Sequence, residues 1–465
     1  MNLFSRLQDF GERIAIVADS GEQLSYRQLA QRADASLAAL HDAGGVLAVD
    51  GENSVPALCS YVGSLRAGKP VLLLDPALGA ESRQQLLQRF GVQAWWNAKQ
   101  RSWIELRPPA TARPHPQLAL LLSTSGSTGA AKLVRLSHGN LAANAASIIN
   151  YLGIGSDERA ITSLPMHYSY GMSVVHTHLL AGARLLLTAQ PLVARGFWDF
   201  FQAQGASSLS GVPAMYDMLE RLGLHKMDLP SLRTLTQAGG RLPPERVQRL
   251  AQLAQLRGWR FFVMYGQTEA GPRMCYLAPE QALDKPGSIG RAIPGGRMQI
   301  VDAEGRPLHE PGREGELVYE GPNVMLGYAQ SLHDLELGDV NGGRLATGDL
   351  GYQDADGCFH ITGRSARFVK MFGRRLSLDE VQAWGEAVAE QAAATGRDDL
   401  LLLALVRPRR DTAELRRELI GRFRLQHAKL VVAELAELPR SAAGKLRYSE
   451  LMHSMVGDHD QQHRQ

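Results

Sequence analysis

At 465 residues, with 45% hydrophobic and 21% charged residues, the chain has material for two or three domains and a sizeable core. Its 50 basic and 47 acidic residues leave a net charge of +3 with no long basic block, which argues against a nucleic-acid partner; a solvated strand end accounts for the densest patch, Arg407-Pro408-Arg409-Arg410. Cys59, Cys275 and Cys358 stand far apart and indicate neither a disulfide framework nor a zinc site. No apolar run approaches the roughly 20 residues of a membrane span, and Asp9 and Glu12 interrupt any signal-peptide core, so a soluble protein of the reducing cytoplasm is expected.

The first periodic segment, from Leu24 to about Ala43, predicts a helix with Leu29, Ala33, Leu37 and Leu40 near helical spacing. Residues 46–49 and 70–74 read as buried strands around a helix at 55–67, an alternation that predicts an α/β fold with largely parallel sheets flanked by helices. A proline-rich connection, 107–117, then leads to the apolar run 118–122 and to Ser123-Thr124-Ser125-Gly126-Ser127-Thr128-Gly129-Ala130-Ala131-Lys132. Glycines let backbone N–H groups converge on phosphate oxygens, hydroxyls add donors or a metal ligand, and the lysine adds charge, so this stretch suits a polyphosphate. It lacks the Walker spacing, and an ordinary loop accounts for its composition equally well.

Beyond it, a strand at 133–136 precedes a helix reaching about Leu152, with Ser137 or Asn140 as its cap. Further strands are expected at 160–164, 184–188, 232–237 and 261–264, and the loops after parallel strands are where such sheets bind ligands. Short strands with Pro-Gly and Gly-Gly turns from about 285 to 361 predict an antiparallel β subdomain. Residues 362–465 read as a small α+β domain, with a hairpin, helices and a strand at 400–406, following a large domain over 1–361.

Five separated stretches change the weight of the hydroxyl-rich loop. They are that loop itself, Met264-Tyr265-Gly266-Gln267-Thr268-Glu269-Ala270, Thr347-Gly348-Asp349-Leu350, Gly363-Arg364, and Pro439-Arg440-Ser441-Ala442-Ala443-Gly444-Lys445. In this order they resemble the adenylate-forming superfamily of acyl- and aryl-CoA synthetases, peptide-synthetase adenylation modules and luciferases, over almost the whole chain. Leu65-Arg66-Ala67-Gly68-Lys69-Pro70, Ala238-Gly239-Gly240-Arg241-Leu242 and Gly315-Glu316-Leu317 agree in order and spacing.

The resemblance implies that a carboxylic acid attacks the α-phosphorus of ATP to form acyl-AMP, and that a thiol, coenzyme A or the arm of an acyl carrier protein, then takes the acyl group. It places Thr124, Ser125, Gly126, Ser127, Thr128, Gly129 and Lys132 around the β- and γ-phosphates. Thr128 and Glu269 fall on Mg²⁺, which takes hard oxygen donors. Gly239, Gly240, Arg241, Tyr265, Gly266 and Gln267 line the adenine side, Thr268 an α-phosphate oxygen, Asp349 the ribose hydroxyls, and Arg364 the ribose or a phosphate. A core tyrosine and a surface ion pair are the plainer readings of Tyr265 and of Asp349 with Arg364. Lys445, on a mobile C-terminal domain, bridges carboxylate and α-phosphate; the acid is already ionised at pH 7, so positioning and charge stabilisation carry the step.

Four departures accompany the match. Ala131 and Leu133 flank the loop lysine where proline and glycine are usual, Ala366 and Arg367 replace the usual polar hinge residue and the acid after it, and the segment 381–400 is short for the helix and strand that belong there. Ser169 and its neighbours stand where amino-acid-activating modules carry an aspartate, which disfavours an α-amino acid. Gly373 matches the glycine of the thiol tunnel. The resemblance puts the acyl pocket near 165–171, where His167, Tyr168 and Gly171 are expected beside the acyl group, and at the residues flanking Gly239 and 270–274, with a packing role the alternative for the histidine.

Overall fold

The structure, a computed structural model, describes residues 2–38, 40, 45–106, 113–123, 132–364, 367–371, 374–397, 400–423, 425, 429–441, 444, 446–448 and 450–455. The chain divides into two compact units, one formed by residues 1–298 and 318–345 and the other by 299–317 and 346–465. The architecture is α/β, with helices covering mixed sheets. Among the described residues no helix is long and apolar enough to cross a membrane.

The first unit holds a seven-stranded sheet in the order Gly327–Ala329, Leu133–Ser137, Leu118–Ser123, Val71–Leu74, Leu47–Asp50, Ala94–Asn97, Ser102–Glu105. Its centre is parallel and its edges antiparallel. Central strands buried on both faces need continuous apolar runs, and Val71–Leu74 and the first five residues of Leu118–Ser123 supply them. Gly327–Ala329 lies far along the chain in the turn-rich stretch, yet it pairs with the edge of this sheet.

A second set of strands in the same unit runs in the order Ser288–Ala292, Cys275–Leu277, Arg260–Tyr265, Thr234–Gln237, Ser208–Gly211, Arg159–Ile161, Arg184–Leu187, Ile14–Ala18, Gln23–Ser25. From Arg260–Tyr265 to Ile14–Ala18 every pairing is parallel. Their C-terminal ends therefore open on one side, beneath the loops that carry Tyr168, Gly239 and Thr268. The helix His138–Leu152 begins in a capping box between Ser137 and Asn140 and stops at Gly153, whose φ of 63° is left-handed. Ser169–Leu180 is buried along nearly its whole length, which explains why it has almost no polar face.

The second unit has the strands Pro307–Leu308 and Phe359–Arg364 and shares with the first the strands Arg297–Val301, Gly315–Glu320 and Arg344–Gln353, which the division between units cuts. After the hairpin Phe368–Met371 and Arg374–Ser377 come the helix Leu378–Val388 and three strands, Ala389–Arg397 antiparallel to Leu400–Pro408 and the latter parallel to Lys429–Glu434. The segment that reads as short contains both its helix and its strand. Helix gives way directly to strand at Val388 and Ala389, so what is missing is the connecting loop.

Candidate functional site

The loop after Arg260–Tyr265 is folded back on itself and clamped. A Cβ at Gly266 would collide with the Pro272 carbonyl, so only glycine permits the return. Two buried asparagines fix its far side: Asn323 Nδ2 donates to the carbonyls of Ala270 at 2.7 Å and Arg273 at 2.9 Å, and Asn144 Nδ2 donates to the same pair at 3.3 and 3.1 Å. The Met325 N–H donates to the Glu269 carbonyl at 2.8 Å. The turn Thr268–Ala270 is thus held through its backbone, which leaves its side chains for other work.

Those side chains meet the partners that phosphate and metal chemistry needs. Thr268 Oγ1 lies 3.0 Å from Ser169 Oγ, at the start of the buried helix. The Tyr328 hydroxyl donates to Glu269 Oε1 at 2.8 Å, and burial together with the adjacent carboxylate raises the phenol's pKa, so it stays a donor. Lys132 places its ammonium 5.6 Å from the centroid of the same Tyr328 ring. The lysine at the end of the hydroxyl-rich loop and the glutamate 137 positions later by number are therefore neighbours through one tyrosine, which sequence reasoning missed.

Tyr265 and Gln267 are half-buried at the strand's end, so Tyr265 is not a core residue. Gly239 has a φ of 80°, and a Cβ there would meet the Tyr168 hydroxyl and, at 3.1 Å, Val212 Cγ1. Gly240 accepts from Gln237 Nε2 at 2.8 Å, and Arg241 is exposed. His167 Nδ1 donates to the Gly51 carbonyl at 3.0 Å, while its Nε2 is 3.8 Å from Asp75 Oδ1. Burial, opposed by Arg273, pushes the Tyr168 phenol up to about 12. Gly171 sits in the helix against the Pro165 carbonyl, where a Cβ would not fit.

In the second unit, antiparallel pairing sets Asp349 opposite Arg364, and Arg364 Nε donates to Asp349 Oδ1 at 2.8 Å. The two side chains differ: 3% of Asp349 is exposed against 59% of Arg364. This is a buried carboxylate held by a more exposed guanidinium, not the surface ion pair of the plainer reading. Arg367, beside the expected hinge, is anchored inward. It pairs with Asp379 at 3.0 Å, stacks 4.0 Å from the Tyr448 ring centroid and donates to the Ala394 carbonyl at 2.8 Å. Thr124, Ser125, Gly126, Ser127, Thr128, Gly129, Ala366, Gly373 and Lys445 lie outside the described residues.

The chemistry of the donors suits Mg²⁺. Among the described residues no group of three or more metal-ligating side chains occurs, and Glu269 brings one hard carboxylate to the clamped turn. Magnesium bound to a nucleotide takes one or two carboxylates and completes its shell with phosphate and water.

The sequence profile of the AMP-binding enzyme family matches residues 3–329. The chain belongs to that family. This AMP-binding enzyme is 29% identical to an indoleacetate–CoA ligase of Aromatoleum aromaticum, over 92% of either chain. It is 30% identical to a 2-succinylbenzoate–CoA ligase of Bacillus cereus over 71% of its own length and 69% of that protein's. Among solved structures, o-succinylbenzoate CoA synthetase of Bacillus subtilis in complex with its acyl-adenylate shares the fold with a TM-score of 0.80 at 22% identity, covering 97% of this chain and 98% of that one. The ATP-bound MatB of Rhodopseudomonas palustris gives 0.78 at 24% identity, covering 98% and 99%.

Proposed function

We propose that this AMP-binding enzyme is an AMP-forming acid–CoA ligase whose nucleotide and acyl groups are handled by the residues above. The observation that carries the reading is the clamped turn Thr268–Ala270, which presents a hydroxyl and a carboxylate at the end of a parallel strand with Lys132 beside them. In the first step the acid's carboxylate oxygen forms a bond to the α-phosphorus of ATP and the bond to pyrophosphate breaks. In the second, the sulfur of coenzyme A attacks the acyl carbonyl and AMP leaves.

Thr268 takes an α-phosphate oxygen, and Thr124 to Gly129 with Lys132 take the departing phosphates. Glu269 and Thr128 would hold Mg²⁺, which would neutralise charge on the phosphate oxygens. Tyr265, with Gly239, Gly240, Arg241, Gly266 and Gln267, borders adenine. Asp349 is suited to the ribose hydroxyls because its buried carboxylate is already aimed by Arg364. Lys445 bridges the carboxylate and the α-phosphate in the first step, carried by a small domain over 362–465 that turns near Ala366 and brings Gly373 to the thiol in the second. His167, Tyr168 and Gly171 border the acyl group. Cys59, Cys275 and Cys358, all free and buried, suit a reducing cytoplasm.

Acid-dependent ATP–pyrophosphate exchange tests the reading. Lys445→Ala is expected to abolish exchange while largely sparing thioester formation from supplied acyl-AMP; normal exchange in that variant would sink the role of the lysine. Thioester formation with coenzyme A against a holo acyl carrier protein identifies the acceptor, with coenzyme A expected.

A further inference from the structure

Arg367 stands where the resemblance expects an acid, so the residue directly past the proposed pivot at Ala366 is a cation. Its backbone is fixed on both sides: its N–H donates to the Arg364 carbonyl at 3.2 Å, and its own carbonyl accepts the Leu378 N–H at 3.0 Å. The guanidinium is gripped as closely. Nη1 donates to the Tyr448 hydroxyl at 2.5 Å and lies 3.0 Å from Asp379 Oδ1, while Nη2 donates to Gln382 Oε1 at 3.2 Å and to the Ala394 carbonyl at 2.8 Å. It also stacks on the Tyr448 ring, 4.0 Å from the centroid. The side chain is mostly buried, so water screens these contacts little.

Tyr448 gives the cluster its reach, because it closes the run Gly444-Lys445-Leu446-Arg447-Tyr448. The residues on either side of that lysine form a bridged turn. Arg440 and Leu446 pair in an antiparallel bridge, the Arg447 N–H donates to the Pro439 carbonyl at 2.9 Å, and Arg440 Nη1 donates to the Gly444 carbonyl at 2.9 Å. Arg440 Nη2 reaches Gln391 Oε1 at 3.1 Å on the strand Ala389–Arg397. Burial raises the Tyr448 pKa, so the phenol keeps its proton and donates to Gln382 Oε1 at 3.0 Å while it accepts from Arg367. Along the chain, Arg367 and this turn are separated by the helices and strands from Phe368 to Glu434; through Tyr448 they are separated by one contact.

We propose that Arg367 is a positioning residue for Lys445: by gripping the Tyr448 phenol, ring and hydroxyl, it ties the lysine's turn to the start of the small domain, so that rotation at the pivot delivers the ammonium accurately to the reacting phosphate. This rests on the ligase reading and deepens it. A rotating body places a distant group well only if little gives between pivot and group, and a misplacement of about 1 Å costs a step up to about a hundredfold. The thiol step asks less of the tie, since Gly373 falls in the segment 368–377 that follows Arg367 directly in the chain.

The test measures both half-reactions in wild type, Arg367→Met, Arg367→Lys, Tyr448→Phe, Tyr448→Leu and the double variant of Arg367→Met with Tyr448→Leu, with chemical denaturation alongside. Arg367→Met and Tyr448→Leu are each expected to lower kcat for acid-dependent ATP–pyrophosphate exchange about ten- to a hundredfold. The KM for ATP and the rate of thioester formation from supplied acyl-AMP should each stay within about threefold of wild type, because neither depends on an interaction made only in the first transition state. Arg367→Lys and Tyr448→Phe keep a cation over a ring and should retain part of the rate. The two residues make one link, so the double variant should be no slower than the worse single one. Equal loss in both half-reactions, losses that multiply in the double variant, or unchanged exchange in Arg367→Met overturns the proposal. Normal exchange in Lys445→Ala removes the lysine's role and the tie with it, whereas abolished exchange there beside normal exchange in Arg367→Met sinks the tie alone. If Arg367→Met fails to fold, the Tyr448 variants and Arg367→Lys decide.

Discussion

Two arginines of the first unit are withdrawn from solvent, and their surroundings differ completely. Arg135, 0% exposed, reaches from the strand Leu133–Ser137 to the carbonyls of Leu326 at 3.2 Å, Tyr328 at 3.3 Å, Gly338 at 3.3 Å and Leu337. Burial pulls its pKa down while Asp334 and Asp339 oppose that, and four carbonyl dipoles spread the charge. Arg273 is held instead by side chains, with the Tyr170 ring 4.0 Å away, Met264 Sδ at 3.4 Å and the Tyr151 phenol beside it. One buried charge ties backbone to backbone, the other ties side chains within the core. Substitutions separate the two because the first orphans carbonyls and the second does not.

The largest effect is expected at Arg135. Arg135→Met orphans four carbonyls where the strand Gly327–Ala329 meets its sheet, and a loss of about 4 kcal/mol or more should appear in chemical denaturation. A loss near zero would break the comparison at once. Acid should act next, through His138 at the head of the neighbouring helix. Its Nδ1 accepts the Leu3 N–H at 3.0 Å, and burial holds its pKa down at about 4 from 6.5. The unfolded chain binds the proton first, so stability is complete above pH 6.5 and falls by about 3 kcal/mol as pH drops to 4. In His138→Asn, which keeps an acceptor and loses the titration, the slope over that window should flatten. Arg367 ranks third: its carboxylate and ring partners are only partly buried, and Arg367→Ala should lower the stability of the second unit by about 2 kcal/mol. Asp379, whose pKa burial raises against the pull of Arg367, should titrate still higher in that variant.

The contrast between these arginines was not legible in the sequence, whereas much of the frame was. Continuous apolar runs such as 71–74 and 118–122 announced buried parallel strands, and Ser137 with Asn140 announced the helix start. Ser208–Gly211 went unseen because serine and glycine give no apolar run, although pairing on both edges makes it a strand. Tyr328 was missed for a different reason: its meaning depends on partners, Glu269 and Lys132, more than 50 residues away. Arg273 fell inside the stretch 270–274 expected beside the acyl group, but its burial against Tyr170 and Met264 had no local signal.

Two smaller effects sharpen the comparison from the side of function. Asp349→Asn keeps the volume of the buried group and removes the charge that Arg364 holds, so the KM for ATP should rise about tenfold, roughly 1.4 kcal/mol, with kcat moved less. An unchanged KM would remove Asp349 from the nucleotide. The smallest expected change is the stability of Arg273→Met. Met fills much of the same volume and orphans no carbonyl, so denaturation should shift by only about 1 kcal/mol. Loss at Arg273→Met as large as at Arg135→Met would end the distinction.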